Sequence, residues 1–348
     1  MTKRVLFVVL LTCMALVVVA TSAVAQNKRI GTAAASELLI PIGGRDFAMG
    51  GSSMATSKGV EAIFWNPAGL GRMSNSAEGM FSSMSYIADI GVNYGAVGGK
   101  FGEFGAIGIS VKSLNFGDIP LTTNDDPENT SGKFFSPAFV TVGLTYSRPL
   151  TDAISVGATV KMVSEQIERV SASGIAFDFG VAYNGLVGVP GLHLGVAVKN
   201  IGSQLKYDGP GMLRLATSSD GYRPEQRYQS LAASFELPSV VEIGLAYDSK
   251  VGDNMSWDVS GSFTNNNLYL DEYRLGGEFG VNVEPVQIFA RAGVGLVPQA
   301  AAKENIFGAT FGGGLIYVAQ GITITLDYAY RQVEFFDANN VISVKLGF

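Results

Sequence analysis

Ile322-Thr323-Ile324-Thr325-Leu326-Asp327-Tyr328-Ala329-Tyr330-Arg331 alternates apolar residues with polar or small ones, and Ile342-Ser343-Val344-Lys345-Leu346-Gly347-Phe348 resumes the pattern after a short break. A two-residue period places one set of side chains on each face of a β-strand. The same alternation occurs upstream. Ile154, Val156, Val160 and Met162 face Ser155, Gly157, Thr159 and Lys161, and Ile175, Phe177, Phe179 and Val181 face Asp178 and Gly180. Leu192, Leu194, Val196 and Val198 stand against His193, Gly195 and Lys199, and Val241, Ile243 and Leu245 against Glu242 and Gly244.

A soluble β-sandwich also alternates, so the identity of the two faces decides. Small and charged residues share one face, as in a lumen, while Tyr and Phe recur towards the ends of the apolar face, as in the aromatic girdles of a membrane barrel. The expected fold is therefore an all-β, antiparallel transmembrane β-barrel. Fourteen strands are read at 79–87, 91–100, 105–115, 137–148, 153–169, 174–184, 191–199, 239–247, 255–264, 269–281, 285–296, 307–318, 321–333 and 339–348. The count is even, and the even-numbered connections are short, whereas 116–136 and 200–238 are long. Bacterial barrels show this split between periplasmic turns and external loops. The aromatic Phe348 ending the last strand is expected to act as the assembly signal read by the barrel assembly machinery.

Composition narrows the function. The 348 residues carry 44 Gly, 16% charged residues, a net charge of −6, one Cys and one His. One His and one Cys cannot build a multi-ligand zinc or iron–sulfur site. No basic run offers the electrostatic footprint of a nucleic-acid binder. Residues 1–25 read as a cleaved signal peptide: Lys3 and Arg4 precede an apolar stretch, and Ala23-Val24-Ala25 fits a cleavage site. Its length also allows an uncleaved anchor. Cleavage would remove Cys13 and with it any disulfide or thiol chemistry.

Fourteen strands enclose more room than side chains fill, since eight already hold a small ligand. Residues 26–77 are the candidate filling, a folded plug or hatch, with 78–348 forming the barrel in outer-membrane lipid. Gly43, Gly44, Arg45, Met49, Gly50 and Gly51 lie in Ile42-Gly43-Gly44-Arg45-Asp46-Phe47-Ala48-Met49-Gly50-Gly51, and Asn66, Pro67, Ala68 and Gly69 in Phe64-Trp65-Asn66-Pro67-Ala68-Gly69-Leu70. These stretches resemble the N-terminal signature of the PorV/PorQ family, within the FadL-like fourteen-stranded outer-membrane barrels, and Val196-Ala197-Val198-Lys199-Asn200-Ile201-Gly202 is similar to a mid-barrel stretch of those proteins. The resemblance spans essentially the whole chain after the signal and implies a location in the outer membrane of a diderm bacterium. It implies one of two roles. PorV-like members carry secreted proteins bearing a C-terminal sorting domain in type IX secretion. FadL-like members move fatty acids or other hydrophobic small molecules past a hatch containing the Asn-Pro-Ala element, here Asn66-Pro67-Ala68.

The inward face is read as Lys112, Lys161, Glu165, Asp178, His193, Lys199, Glu242, Asp258, Arg274, Glu278, Arg291, Asp327, Arg331 and Lys345, with Phe139, Phe289 and Ile316 the only large apolar exceptions. Such charges fit ion pairs that hold a plug, a polar conduit or a pocket built mainly by the plug; they weigh against a hydrocarbon tunnel and favour the secretion reading. The external loops, with Asp125, Asp126 and Glu128 in one and Tyr207, Arg214, Tyr222, Arg223, Arg227 and Tyr228 in the other, become the expected contact surface for secreted partners. The acidic group lacks the EF-hand spacing, which leaves calcium only a suggestion and no cofactor expected. No Gly-x-Ser-x-Gly elbow occurs and 95–100 lacks phosphate-loop spacing, so no enzyme is expected.

Overall fold

The computed structural model describes residues 30–217, 224–300, 305–319 and 321–348. The signal segment 1–25, with Cys13, and the loop residues Tyr222 and Arg223 lie outside the described residues. Fourteen antiparallel strands close into a barrel in simple sequence order. They are β1 (Ala77–Ser85), β2 (Gly91–Lys100), β3 (Ala106–Asn115), β4 (Ala138–Pro149), β5 (Ile154–Ile167), β6 (Val170–Asn184) and β7 (Leu192–Gly202), followed by β8 (Val240–Val251), β9 (Met255–Asn266), β10 (Glu272–Val283), β11 (Val286–Leu296), β12 (Phe307–Ala319), β13 (Ile322–Val333) and β14 (Asn339–Gly347). Among the described residues no helix is long and apolar enough to cross a membrane; the crossing elements are the strands.

The strand boundaries differ from the sequence reading in a few places. β6 begins at Val170 rather than near 174, because Glu168, at φ 52°, turns the chain tightly between Ile167 and Val170. The polar Val170-Ser171-Ala172-Ser173 run carries no apolar alternation, which hid it. Tyr86 and Ile87 fall outside β1, and β10 starts at Glu272 instead of 269.

The outward face holds large exposed apolar side chains, among them Phe81, Val97, Leu144, Met162, Phe179 and Ile342. On β5 to β8 the outward set contains no Asp, Glu, Lys or Arg, as lipid demands, where a charge costs roughly 2–4 kcal/mol at the midplane. The two long connections carry small ladders of their own. Ile119–Pro120 pairs with Phe134–Phe135 in one, and Leu205–Lys206 with Ser234–Phe235 and Leu213–Ala216 with Gln226–Gln229 in the other.

The core is not made by the barrel alone. Trp65, Phe47, Met49, Met54, Leu70 and Met73 head the largest fully buried side chains, and all belong to the segment before β1. That segment contains α1 (Gly44–Ala48), α2 (Ala62–Trp65) and 3-10 turns at Ser36–Leu39, Ser53–Ala55, Gly59–Glu61 and Pro67–Arg72. Helices this short do not hold together in water by themselves. Their stability comes from the surrounding wall.

The ring closes by pairing β1 with β14. Beyond the last ladder residue, the Phe348 carbonyl accepts from Ser76 N at 2.7 Å and Ala77 N at 3.2 Å, and its N–H donates to Ala77 O at 2.9 Å. Deleting Phe348 removes these three seam bonds at the point where the chain enters β1. The expected outcome is a marked drop in the heat-modifiable, folded band on a semi-native gel; an unchanged band would mean that the seam closes without it.

Candidate functional site

The segment 30–76 runs through the ring of strands from one end to the other. Ala33 bridges to Glu236 within the long loop, at the end carrying the long connections. Arg72 donates from Nη2 to the carbonyls of Ala153 and Ala182 and from Nε to Ser155 Oγ at 2.8 Å, at the end carrying the short turns.

Glycines let its backbone reach the wall. A Cβ on Gly276 would lie 2.2 Å from Met49 O, one on Gly293 2.2 Å from Met49 C, and one on Gly312 2.5 Å from Ala48 Cβ, so β10, β11 and β12 leave a smooth bed for the end of α1. A second bed lies opposite. A Cβ on Gly157 would come within 2.4 Å of Pro67, and one on Gly180 within 2.1 Å of Asn66 Oδ1. Asn66 caps the following turn by accepting from Ala68 N at 3.2 Å and donates to Val181 O at 3.1 Å, while Ala68 O accepts from Ser147 Oγ at 3.0 Å. Gly69 has no room for a Cβ either, which would sit 2.3 Å from Ser57 O. Gly43, Gly50 and Gly51 take φ of 79°, 68° and 76°, the left-handed region that favours glycine.

The inward charges fall into two groups. In the first, Arg45 meets Asp46 at 3.1 Å, Glu278 at 3.2 Å and Asp258 at 3.5 Å; Arg291 then bridges Glu278 at 2.5 Å and Asp327 at 2.6 Å. Gly44 N donates to Ser343 Oγ at 2.9 Å beside them, and Lys345 stands 3.8 Å from Glu61. In the second, Lys161 pairs with Asp178 at 2.7 Å, Lys199 with Glu242 at 2.6 Å, and Arg274 with Glu242 at 3.0 Å and Glu272 at 2.6 Å. Three cations here match three carboxylates.

Four inward residues stand apart. Lys112 donates to Glu37 O at 2.7 Å and to Ile40 O. Glu165 accepts from Ala35 N at 3.1 Å and from the Tyr207 hydroxyl. His193 sits near the short-turn end between Asn184, at 2.8 Å, and Asp248. Arg331 bonds Asn339 Oδ1 at 2.7 and 3.0 Å and lies over the rings of Phe307 and Phe47, at 3.8 and 4.7 Å; among the described residues no carboxylate pairs with it.

The expectation of only three large apolar residues inside is wrong. Met80, Met84, Val92, Tyr94, Leu114 and Val341, on β1, β2, β3 and β14, are inward and buried, and pack on Ile42, Phe47, Val60 and Leu70. They were overlooked because a Met or Tyr among glycines and serines does not stand out as either face of a strand. The buried carboxylates Glu37, Asp46, Glu61 and Glu78 were also missed. Asp46 had a signal, its place beside Arg45.

Towards the long-loop end these surfaces enclose a cavity of about 440 Å³. Leu38, Leu39, Ile40, Phe47, Phe64 and Trp65 give it an apolar side, while Lys161, Lys199, Glu242, Arg274, Thr310 and Arg331 give it a polar one. The two irregularities of the barrel ladder both open on it. One breaks register between Phe177 and Phe179 opposite Asn200, at φ 60°, and the other between Phe307 and Thr310 opposite Arg331. Bulges re-aim side chains beside sites. In the long loop 116–137 the Asp126 carboxylate is held well below its usual range by N–H and O–H donors from Ser131 and Thr130. Its oxygens serve its own turn.

No protein-family model matches this sequence, and no curated protein is similar to it. Solved structures are similar in fold. The toluene transporter TbuX of Ralstonia pickettii superposes with a TM-score of 0.54 at 15% identity, over 88% of this chain and 98% of that one. The toluene transporter TodX of Pseudomonas putida gives a TM-score of 0.50 at 13% identity, over 86% and 96%.

Two substitutions test the docking of the segment. Gly293→Val drives a side chain into Met49 and is expected to cost about 1–3 kcal/mol or more. Arg45→Met leaves the buried Asp46 and Asp258 without their cation, at a cost of about 3–5 kcal/mol. Both should lower the midpoint of heat modification and expose 30–76 to trypsin; a midpoint equal to that of the parent protein would show that the contacts are not made. By its closed ring, strand order and structural neighbours, the chain has the fold of the FadL-like fourteen-stranded outer-membrane barrels.

Proposed function

We propose that the protein admits a hydrophobic small molecule across the outer membrane of a diderm bacterium, binding it in the cavity at the long-loop end, with 30–76 as the hatch below. The cavity carries this reading. Its volume of about 440 Å³ lies within the roughly 300–1,000 Å³ of small-molecule pockets, and leucine, isoleucine and aromatic side chains contribute to its lining. Burying such a ligand is favourable at about 25 cal/mol per Å² of apolar surface. Arg331, without a carboxylate, gives the ligand one donor group to orient against. The toluene transporters of like fold agree with an apolar cargo. The charges inside are read as holding the hatch rather than as catalytic, since most are satisfied by partners on the facing element.

A second reading, PorV/PorQ-like handling of secreted proteins, has one observation in its favour. The hairpin Leu213–Ala216 with Gln226–Gln229 stands exposed in the long loop and presents Arg214, Leu215, Arg227 and Tyr228. Tyr and Arg anchor many interfaces.

Fluorescence separates the two. Trp65 lines the cavity and Trp257 packs at a tilt against Tyr247 of the neighbouring strand, so Trp257→Phe leaves a single reporter at the site. Toluene is expected to change its emission saturably, and Leu39→Arg to weaken binding at least about tenfold, equivalent to roughly 1.4 kcal/mol. No saturable change would overturn the uptake reading. Removing 26–75 should raise the conductance of single channels in planar bilayers; an unchanged trace would mean that something else closes the lumen.

A further inference from the structure

Residues 33–41 form a strap along one side of the cavity, where Ser36, Leu38, Leu39, Ile40 and Pro41 line it. The strap is fastened at several points. Ala34 N donates to Glu236 O at 3.1 Å, Ala35 N to Glu165 Oε1 at 3.1 Å, and Lys112 holds the carbonyls of Glu37 and Ile40. Leu38 packs against Val163, Ala172, Leu205 and Leu237.

One contact in this fastening is not a favourable pair of charges. Glu37, 2% exposed, turns its carboxyl towards Glu165, also 2% exposed, and no donor reaches either Glu37 oxygen among the described residues. Glu165 already accepts from Ala35 N and from the Tyr207 hydroxyl. The nearest cation is Lys112, whose ammonium is bonded to backbone carbonyls; Lys161 and Lys199 lie beyond it and are paired with Asp178 and Glu242. Two buried carboxylates facing each other without a bridging cation repel; a proton between them turns the contact into a hydrogen bond.

We infer that a proton held on Glu37, where its carboxyl faces Glu165, latches the strap over the cavity. Burial, then the charge of Glu165, pushes the Glu37 carboxyl up from 4.5 to about 8. The docked strap therefore binds a proton that the released strap gives up. Docking weakens as pH rises from about 4.5 to about 8, by up to tenfold per pH unit, and is pH-independent above that. For uptake, the latch rests on the cavity being the binding site, as proposed above.

The test is a nitroxide label on Ser36→Cys, an exposed position of the strap in a chain whose only native cysteine is Cys13. The mobile fraction of the spectrum is expected to rise with pH up to about 8 and then level off. Glu37→Gln, checked for the folded heat-modifiable band, should hold the label immobile at every pH, and Glu165→Gln, which removes the facing charge but leaves Glu37 buried, should move the rise to lower pH. A label that stays immobile throughout in the parent protein would overturn the latch. So would the same profile in both Gln variants, which would assign the response to Lys112 or Tyr207. Re-immobilisation by calcium alone above about pH 8 would also overturn it, because the acids would then be holding a cation. Toluene titration of the Trp65 reporter is read separately: a pH-responsive strap without toluene binding retains the latch and overturns the uptake reading instead.

Discussion

A ring of fourteen strands encloses more space than its own inward side chains can occupy, and unless something else fills that space it stands open to water. The chain meets this constraint with its own N-terminal segment. Once 30–76 lies inside, the wall must let a backbone approach it. This accounts for part of the glycine excess: Gly157, Gly180, Gly276, Gly293 and Gly312 sit where any Cβ would enter Pro67, Asn66, Met49 or Ala48. The segment also brings Arg45 among Asp46, Asp258 and Glu278, so the charges of wall and filling become mutual partners. Neither part satisfies these groups without the other, since an unpaired buried charge costs several kcal/mol.

The barrel was legible because its signal is redundant. Alternation such as Ile322 to Tyr330 recurs along the chain, and lipid excludes charged side chains from the outward face of β5 to β8. Boundaries blurred where alternation lost its contrast, as at Ser171 and Ser173, where a polar strand end reads like a loop. The inward charges could be assigned by parity alone. Their partners could not: Lys161 and Asp178 are neighbours only through the β5–β6 register, and Arg45 reaches Glu278 across 233 positions of sequence. The cavity was illegible for the same reason. Its apolar side comes from a segment without periodicity, Leu38 to Pro41 together with Phe47, Phe64 and Trp65, so a lining judged from the strands alone looked too polar for an apolar cargo.

That difference reverses the functional emphasis. A lumen lined only by charges favours a barrel that acts through its external loops; an apolar pocket beneath those loops favours a barrel that takes something in. The ion pairs divide accordingly. The Arg45 and Arg291 group ties α1 to β9, β10, β11 and β13, whereas the Lys161, Lys199 and Arg274 group borders the cavity with its charges already matched. Matched charges present little cost to an apolar neighbour, and the unmatched Arg331 is left as the polar feature of the pocket.

The most direct measurement is purification from the native outer membrane in mild detergent, with mass spectrometry of the extracted small molecules and of the co-purifying proteins in the same sample. The uptake account predicts one enriched apolar compound of a size that the cavity holds, and no set of secreted proteins. Recovery of secreted proteins sharing a C-terminal domain, with no enriched small molecule, would contradict it.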